Sequence, residues 1–216
     1  MKNAYSTVFD EVSRFLESKG VHAQTSFKPR ANMREVRVFN ETTKLELPDS
    51  FARFHTGFSD GYEFRWEGAG ESGLFSIPSL SELATLSAEW IERVSQFADD
   101  SNSMDLCIKP AFRPRAFEIW QQMKLWVPFF NEPDGDAFCI DTTNGEIVFD
   151  KHDWFDGFGD IAETNGLVAG SSLEDFVRKW AVFSFQTMWF TDMPHTRENR
   201  YIEWGEGWSD FHRKSV

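Results

Sequence analysis

Cysteine is nearly missing from this chain: Cys107 and Cys139 are the only two in 216 residues, and neither belongs to a C-x-x-C pair. Two thiols are too few for the disulfide framework of a small secreted fold, so the simpler expectation is reduced, intracellular cysteine. Long apolar runs are missing too. The most apolar stretch, Trp180 to Thr191, is closed by Lys179 and Asp192 and falls short of the roughly 20 apolar residues a membrane-spanning helix needs. Asp10 and Glu11 arrive before any apolar h-region can develop, which predicts no secretory signal and a cytoplasmic location. No phosphate-cradling loop stands out: Gly68-Ala69-Gly70-Glu71-Ser72-Gly73 has its glycines at the wrong intervals, carries an acid and lacks the lysine. No internal repeat, low-complexity block or linker divides the sequence, so one domain is expected.

Bases are in the minority. Twenty-two Lys and Arg face 35 Asp and Glu, for a net charge of −13. That sign repels phosphate backbones and anionic membranes and favours basic partners, although it also serves to keep an aromatic-rich protein soluble. Rings are abundant: 23 Phe and 9 Trp help bring aromatics to 16% of the chain, enough for a core that needs no disulfide or metal.

Periodicity outlines the elements. Tyr5, Val8, Phe9, Val12, Phe15 and Leu16 recur at helical spacing before Gly20, a natural C-terminal cap. Val36, Val38, Leu45 and Leu47 alternate on either side of Asn40-Glu41-Thr42-Thr43, predicting two short strands around a turn. Leu47-Pro48-Asp49 opens a short helix with Phe51, Phe54 and Phe58, ended near Gly57. Tyr62, Phe64 and Trp66 alternate with Glu63, Arg65 and Glu67, and Leu74 to Ile77 completes an antiparallel pair. Ser79-Leu80-Ser81-Glu82 reads as a capping box for a helix buried through Leu83, Leu86, Trp90, Val94 and Phe97. A loop is expected at residues 99–103 and a short helix over Phe117 to Lys124. Trp126 to Phe130, Ala137 to Ile140 and Ile147 to Phe149, joined by Pro133-Asp134-Gly135-Asp136 and Thr142-Thr143-Asn144-Gly145, form a three-stranded antiparallel meander. Beyond an irregular Gly-rich stretch, Ser172 with Asp175, or Ser171 with Glu174, caps a last helix carrying Leu173, Phe176, Val177, Trp180 and Phe183. The tail holds too many rings to be a simple disordered terminus and is expected to fold back on the body.

The order of these features resembles the SUKH superfamily, the Smi/Knr type of bacterial immunity proteins and fungal cell-wall regulators. Leu47-Pro48 with the Phe51/Phe54 helix looks like the family's Leu-Pro start to an aromatic helix, and Phe75-Ser76-Ile77 into Leu80-Ser81-Glu82-Leu83 looks like its strand-to-helix step. Trp126-Val127-Pro128-Phe129, Gly135 to Asp141 and Gly145 to Phe149 are similar to its central strands, and Ser172 to Phe176 to its closing helix. The chain departs from the pattern at His55-Thr56-Gly57-Phe58, where the family often has a Gly doublet, and residues 97–125 and 191–216 look like additions. The resemblance implies an α+β fold with a central antiparallel sheet flanked by helices over residues 1–190; the ring content of 191–216 predicts a C-terminal aromatic extension packed on the same domain. It also implies a non-catalytic immunity protein that binds and neutralises a cognate protein toxin, possibly a nuclease, with an intracellular scaffold or regulator as the alternative. A basic toxin would be steered toward an acidic antidote.

The partner surface expected on these grounds comprises Trp66, Glu67, Asp134, Asp136, Asp150, Asp153, Glu203, Trp204, Glu206 and Trp208, which combine acids for steering with rings for anchoring. Core packing explains Trp66 and Trp204 as well, and solvated turns explain the acids. A metal-dependent hydrolase is the catalytic competitor: Asp134, Asp136, Asp141, Asp150, His152 and Asp153 could hold a cation, or His152 could serve as a general base. Asp134-Gly135-Asp136 does not match a calcium loop, however, no nucleophile accompanies His152, and Cys139 sits in an apolar strand pattern. No catalytic residue, metal, cofactor or direct nucleic-acid contact is therefore expected.

Overall fold

The computed structural model describes residues 3–68, 70–99, 113–131, 135–152, 165–186, 195–196, 199–202 and 204. They form an α+β fold of six helices and nine strands in two sheets. Among them no helix is long and apolar enough to cross a membrane.

Helix α1 (Ala4–Ser18) starts where the Asn3 side chain accepts the Tyr5 amide at 2.9 Å, and it buries Tyr5, Val8, Phe9, Val12 and Leu16. Strand β1 (Gln24–Phe27) follows, exposed at every residue and without any apolar alternation. The next segment is helix α2 (Met33–Thr43), not the expected strand pair. Asn32 and Glu35 form a full capping box, and Val36 and Phe39, three apart, make the buried face. Val38 is exposed, so the Val36/Val38 alternation carried no burial.

Helix α3 (Asp49–Gly57) begins after Pro48, and strands β2 (Tyr62–Gly68) and β3 (Glu71–Ile77) form the expected hairpin. With β1 they make a three-stranded antiparallel sheet ordered β1-β2-β3. Helix α4 (Leu80–Asp99) opens where the Glu82 carboxylate accepts the Ser79 amide at 2.7 Å and its hydroxyl at 2.6 Å.

Helix α5 (Arg113–Met123) leads into strands β4 (Trp126–Asn131), β5 (Ala137–Asp141) and β6 (Ile147–Asp150), the expected meander. They belong to a larger sheet ordered β4-β5-β6-β7-β9-β8, with β7 (Leu167–Gly170) in a stretch expected to be irregular. Helix α6 (Leu173–Ala181) is capped by Ser172, whose hydroxyl accepts the Asp175 amide, while Glu174 pairs with Arg178 instead of Ser171. The chain then returns to lay β9 (Asn199–Ile202) parallel to β7, with β8 (His195–Thr196) antiparallel beside it. The sheet is thus antiparallel from β4 to β7, as expected of its centre, and parallel only where β9, re-entering after helix α6, meets β7. Pro128 sits on the edge strand β4, where a missing amide donor interrupts no interior ladder.

Alternation divides β4 to β6 between two cores. Phe129, Phe138, Ile140, Ile147 and Phe149 pack with Phe176 and Trp180 of α6, whereas Trp126, Ala137, Cys139 and Val148 pack with Trp90 and Val94 of α4 and Ile119, Trp120 and Met123 of α5. The six-stranded sheet is thus covered on both faces in this region. The three-stranded sheet buries only the face carrying Tyr62, Phe64, Trp66, Phe75 and Ile77.

Candidate functional site

Strand β2 decides the fate of two expected surface residues. Its outward positions are Glu63, Arg65 and Glu67, which are exposed, and its inward positions are Tyr62, Phe64 and Trp66, which are buried. Trp66 is therefore corrected from surface anchor to core residue: it is 3% exposed, and its indole N–H donates to the Ser184 carbonyl at 2.6 Å.

The meander acids are likewise inside. Asp136, 3% exposed, accepts the His152 backbone amide at 2.9 Å and lies 2.8 Å from the same residue's ring Nδ1. A Cβ on Gly135, whose φ is +102°, would come within 3.0 Å of that ring, so glycine lets the turn pass beneath it. Asp150 is fully buried and accepts the Asn165 side-chain amide, tying β6 to the start of β7. Asp141 accepts the amide and hydroxyl of Thr143 and shapes the β5–β6 turn. Asp136 and Asp150 are therefore corrected from exposed steering charges to interior polar groups: Asp150 ends β6, which has no solvent face, and Asp136, just before β5, is held beneath His152. Among the described residues no group of three or more His, Cys, Asp or Glu is placed to hold a metal ion. Burial, and after it the nearby Asp150, pushes the Cys139 thiol well above its ordinary pKa, leaving it a small core side chain instead of a nucleophile.

Trp204 follows β9 and is half-buried, stacked on Phe183 with its indole N–H donating to the Ala169 carbonyl at 2.8 Å. The expected partner residues Asp134, Asp153, Glu203, Glu206 and Trp208 lie outside the described residues, as do Cys107, the 100–103 part of the expected loop and the side chain of Phe97.

The outer face of the three-stranded sheet is exposed and carries acids at Glu63 and Glu67. Cross-strand register places Ser26, Glu63 and Ser76 in one row, Gln24, Arg65 and Leu74 in the next, and Glu67 opposite Ser72. A groove of about 680 Å³ crosses the first row and is walled on its far side by Glu82, Thr85, Leu86 and Glu89 of α4. Phe27, 74% exposed, stands at its β1 end. Lys28 reaches over to ion-pair with Glu82 at 2.8 Å. The hydrogen bonds from Lys28 and from the Ser79 hydroxyl and amide hold the Glu82 carboxyl at about 2, well below its ordinary range.

One further polar pair carried no sequence signal. His55 is fully buried with Nδ1 2.9 Å from Asp60, whose carboxylate also accepts the Leu80 amide. Burial raises the Asp60 pKa, but these hydrogen bonds outweigh it and the net shift is downward. The pair ties the end of α3 to the start of α4, and α4 forms the groove's far wall. In comparison with known proteins, the chain matches no family model, and no curated protein is a significant match.

Proposed function

We propose that this chain is a non-catalytic protein of the SUKH type, an immunity protein that neutralises a basic protein toxin by occupying its surface. The observation that carries this reading is the outer face of the three-stranded sheet, which no described element covers over Glu63, Arg65 and Glu67. On that face and on the adjoining side of α4, Glu63, Glu67, Glu82 and Glu89 accompany two cations, Lys28 and Arg65, and Lys28 is itself paired with Glu82. A net charge of −13 extends the same field over the molecule and accelerates encounter with a basic surface. The face is also pre-organised. Phe64, Phe75 and Phe185 interlock with Phe9 directly behind it, so little ordering remains to be done on binding.

The test is co-expression with a toxin encoded beside this gene. Rescue of growth and a 1:1 complex are expected, with association slowing at least tenfold when Glu63, Glu67 and Glu89 are reversed to Lys together. Association that ignores both salt and this triple reversal would remove the acidic face from the argument, and failure of the wild type to rescue would remove the immunity role. The competing hydrolase reading has the Asp136–His152 pair in its favour, since a carboxylate behind a partly exposed imidazole suits a general base. Calorimetry with magnesium, calcium, manganese and zinc separates the two, and stoichiometric tight binding would favour the hydrolase.

A further inference from the structure

The groove between β1–β3 and α4 combines two chemistries. Its apolar part consists of Pro78 and Leu86, with the exposed Phe27 at the β1 end, and its acidic rim of Glu63 on the sheet and Glu82 and Glu89 on the helix. Three carboxylates face the single lysine of the lining, a local balance of −2, and Lys28 is directed at Glu82. Glu82 and Glu89 lie two helical turns apart, about 10.5 Å along the axis. Glu63 and Glu89 thus offer carboxylates from opposite walls, the sheet and the helix.

An aliphatic stem ending in a cation matches this pairing, because such a side chain lays its methylenes on apolar surface while its head seeks a carboxylate. The neighbouring edge of β1 suits an extended backbone. Lys28 N–H donates inward to the Gly61 carbonyl at 3.0 Å, so alternation turns the peptide groups of Thr25 and Phe27 away from β2. No described strand pairs with that edge. A nucleic acid or other anion is repelled by the rim, and a second copy of this chain would bring another −13.

We propose that this groove receives an extended segment of a basic protein, one arginine or lysine of which lies along Phe27, Pro78 and Leu86 with its charged head between Glu63 and Glu89. The inference rests on the protein-binding reading above and adds where, and by which chemistry, the partner is held.

The first probe is the peptide acetyl-Leu-Arg-Leu-Arg-Leu-amide, followed by amide chemical shifts at millimolar concentration. Shifts are expected to cluster at residues 26–28, 61–63, 76–77 and 82–89. They should disappear with the citrulline counterpart, which keeps the shape and loses the charge, and weaken about tenfold in Kd for the E63Q/E89Q variant. Absent shifts, shifts elsewhere, equal binding of the citrulline peptide, or the same shifts on mere concentration of the protein would each overturn the assignment. The second probe is the neighbouring toxin. If it binds wild type and E63Q/E89Q equally, the groove is wrong while the protein-binding reading stands. If it does not bind at all while the arginine peptide still maps to the groove, the toxin reading fails and the groove assignment is upheld.

Discussion

The two sheets use acids in opposite ways. In β5 and β6 of the six-stranded sheet, every residue is buried, and the acids in them and just before β5 are held by hydrogen bonds from His152, Asn165 and Thr143. In the three-stranded sheet one face is core and the other is water, and the outward acids Glu63 and Glu67 are exposed. The same residue type is therefore a structural group in one sheet and a solvent-exposed charge in the other. What decides between them is whether helices cover both faces: α4, α5 and α6 do so for β4 to β6, whereas no described helix covers the outward rows of Glu63 and Glu67.

The largest test of this contrast lies in the covered sheet. Phe138 touches Phe130, Phe149, Phe176 and Trp180, and Phe138→Ala is expected to cost about 4 kcal/mol, read from the denaturant midpoint. Next comes Asp150→Ala, which removes a buried acceptor from the Asn165 amide and should cost about 2 to 3 kcal/mol in the same assay. A loss below about 0.5 kcal/mol would put Asp150 back among the surface charges. Gly73→Ala shows that the division runs between faces and not between sheets. Its Cβ would lie 2.1 Å from the Trp66 indole nitrogen and 2.7 Å from the Phe185 carbonyl, so Trp66 must move. A cost of about 2 kcal/mol with a shifted tryptophan emission is expected, and unchanged emission would refute the close approach.

Much of this contrast was legible in the sequence. The strict alternation of Tyr62, Phe64 and Trp66 with Glu63, Arg65 and Glu67 already assigns the rings to one side, and Trp66 belongs with its neighbours in the core. Likewise, Ala137 to Ile140 and Ile147 to Phe149 are unbroken apolar runs, the pattern of strands covered on both faces, which signals that Asp136 and Asp150 at their ends sit close to the interior. Helix α2 looks like a strand in sequence because two valines stand at an interval of two, while the stronger signal, the Asn32–Glu35 capping box, lies just upstream. Strand β1 offers only Gln24, Thr25, Ser26 and Phe27, with no period to read. The groove was not legible at all, since Lys28, Glu63 and Glu89 meet only once the hairpin and α4 have packed.

Smaller effects sharpen the open side. With its folded carboxyl at about 2 against an ordinary 4.5, Glu82 contributes stability in full above about pH 4.5 and loses it as the pH falls toward 2, where the folded state must also take up the proton. Glu82→Gln should flatten that limb of the stability–pH curve. Because Lys28 and Glu82 are both half exposed, the difference at neutral pH stays below about 1 kcal/mol. An unchanged limb in the variant would mean that the Lys28–Glu82–Ser79 cluster does not couple to folding.

The smallest effect on stability separates the two sheets most cleanly. Glu67 faces water opposite Ser72, with no core group depending on it, so Glu67→Lys should alter the denaturant midpoint by no more than about 0.5 kcal/mol. It replaces one negative charge by a positive one on the face proposed to meet a basic partner. Its association rate should therefore fall severalfold at low ionic strength and converge on wild type as salt screens the field. Asp150→Ala predicts the reverse pattern, a large loss of stability with little change in the salt dependence of association for the fraction that remains folded. If the two variants exchange these signatures, burial does not determine which acids serve the fold and which serve the partner.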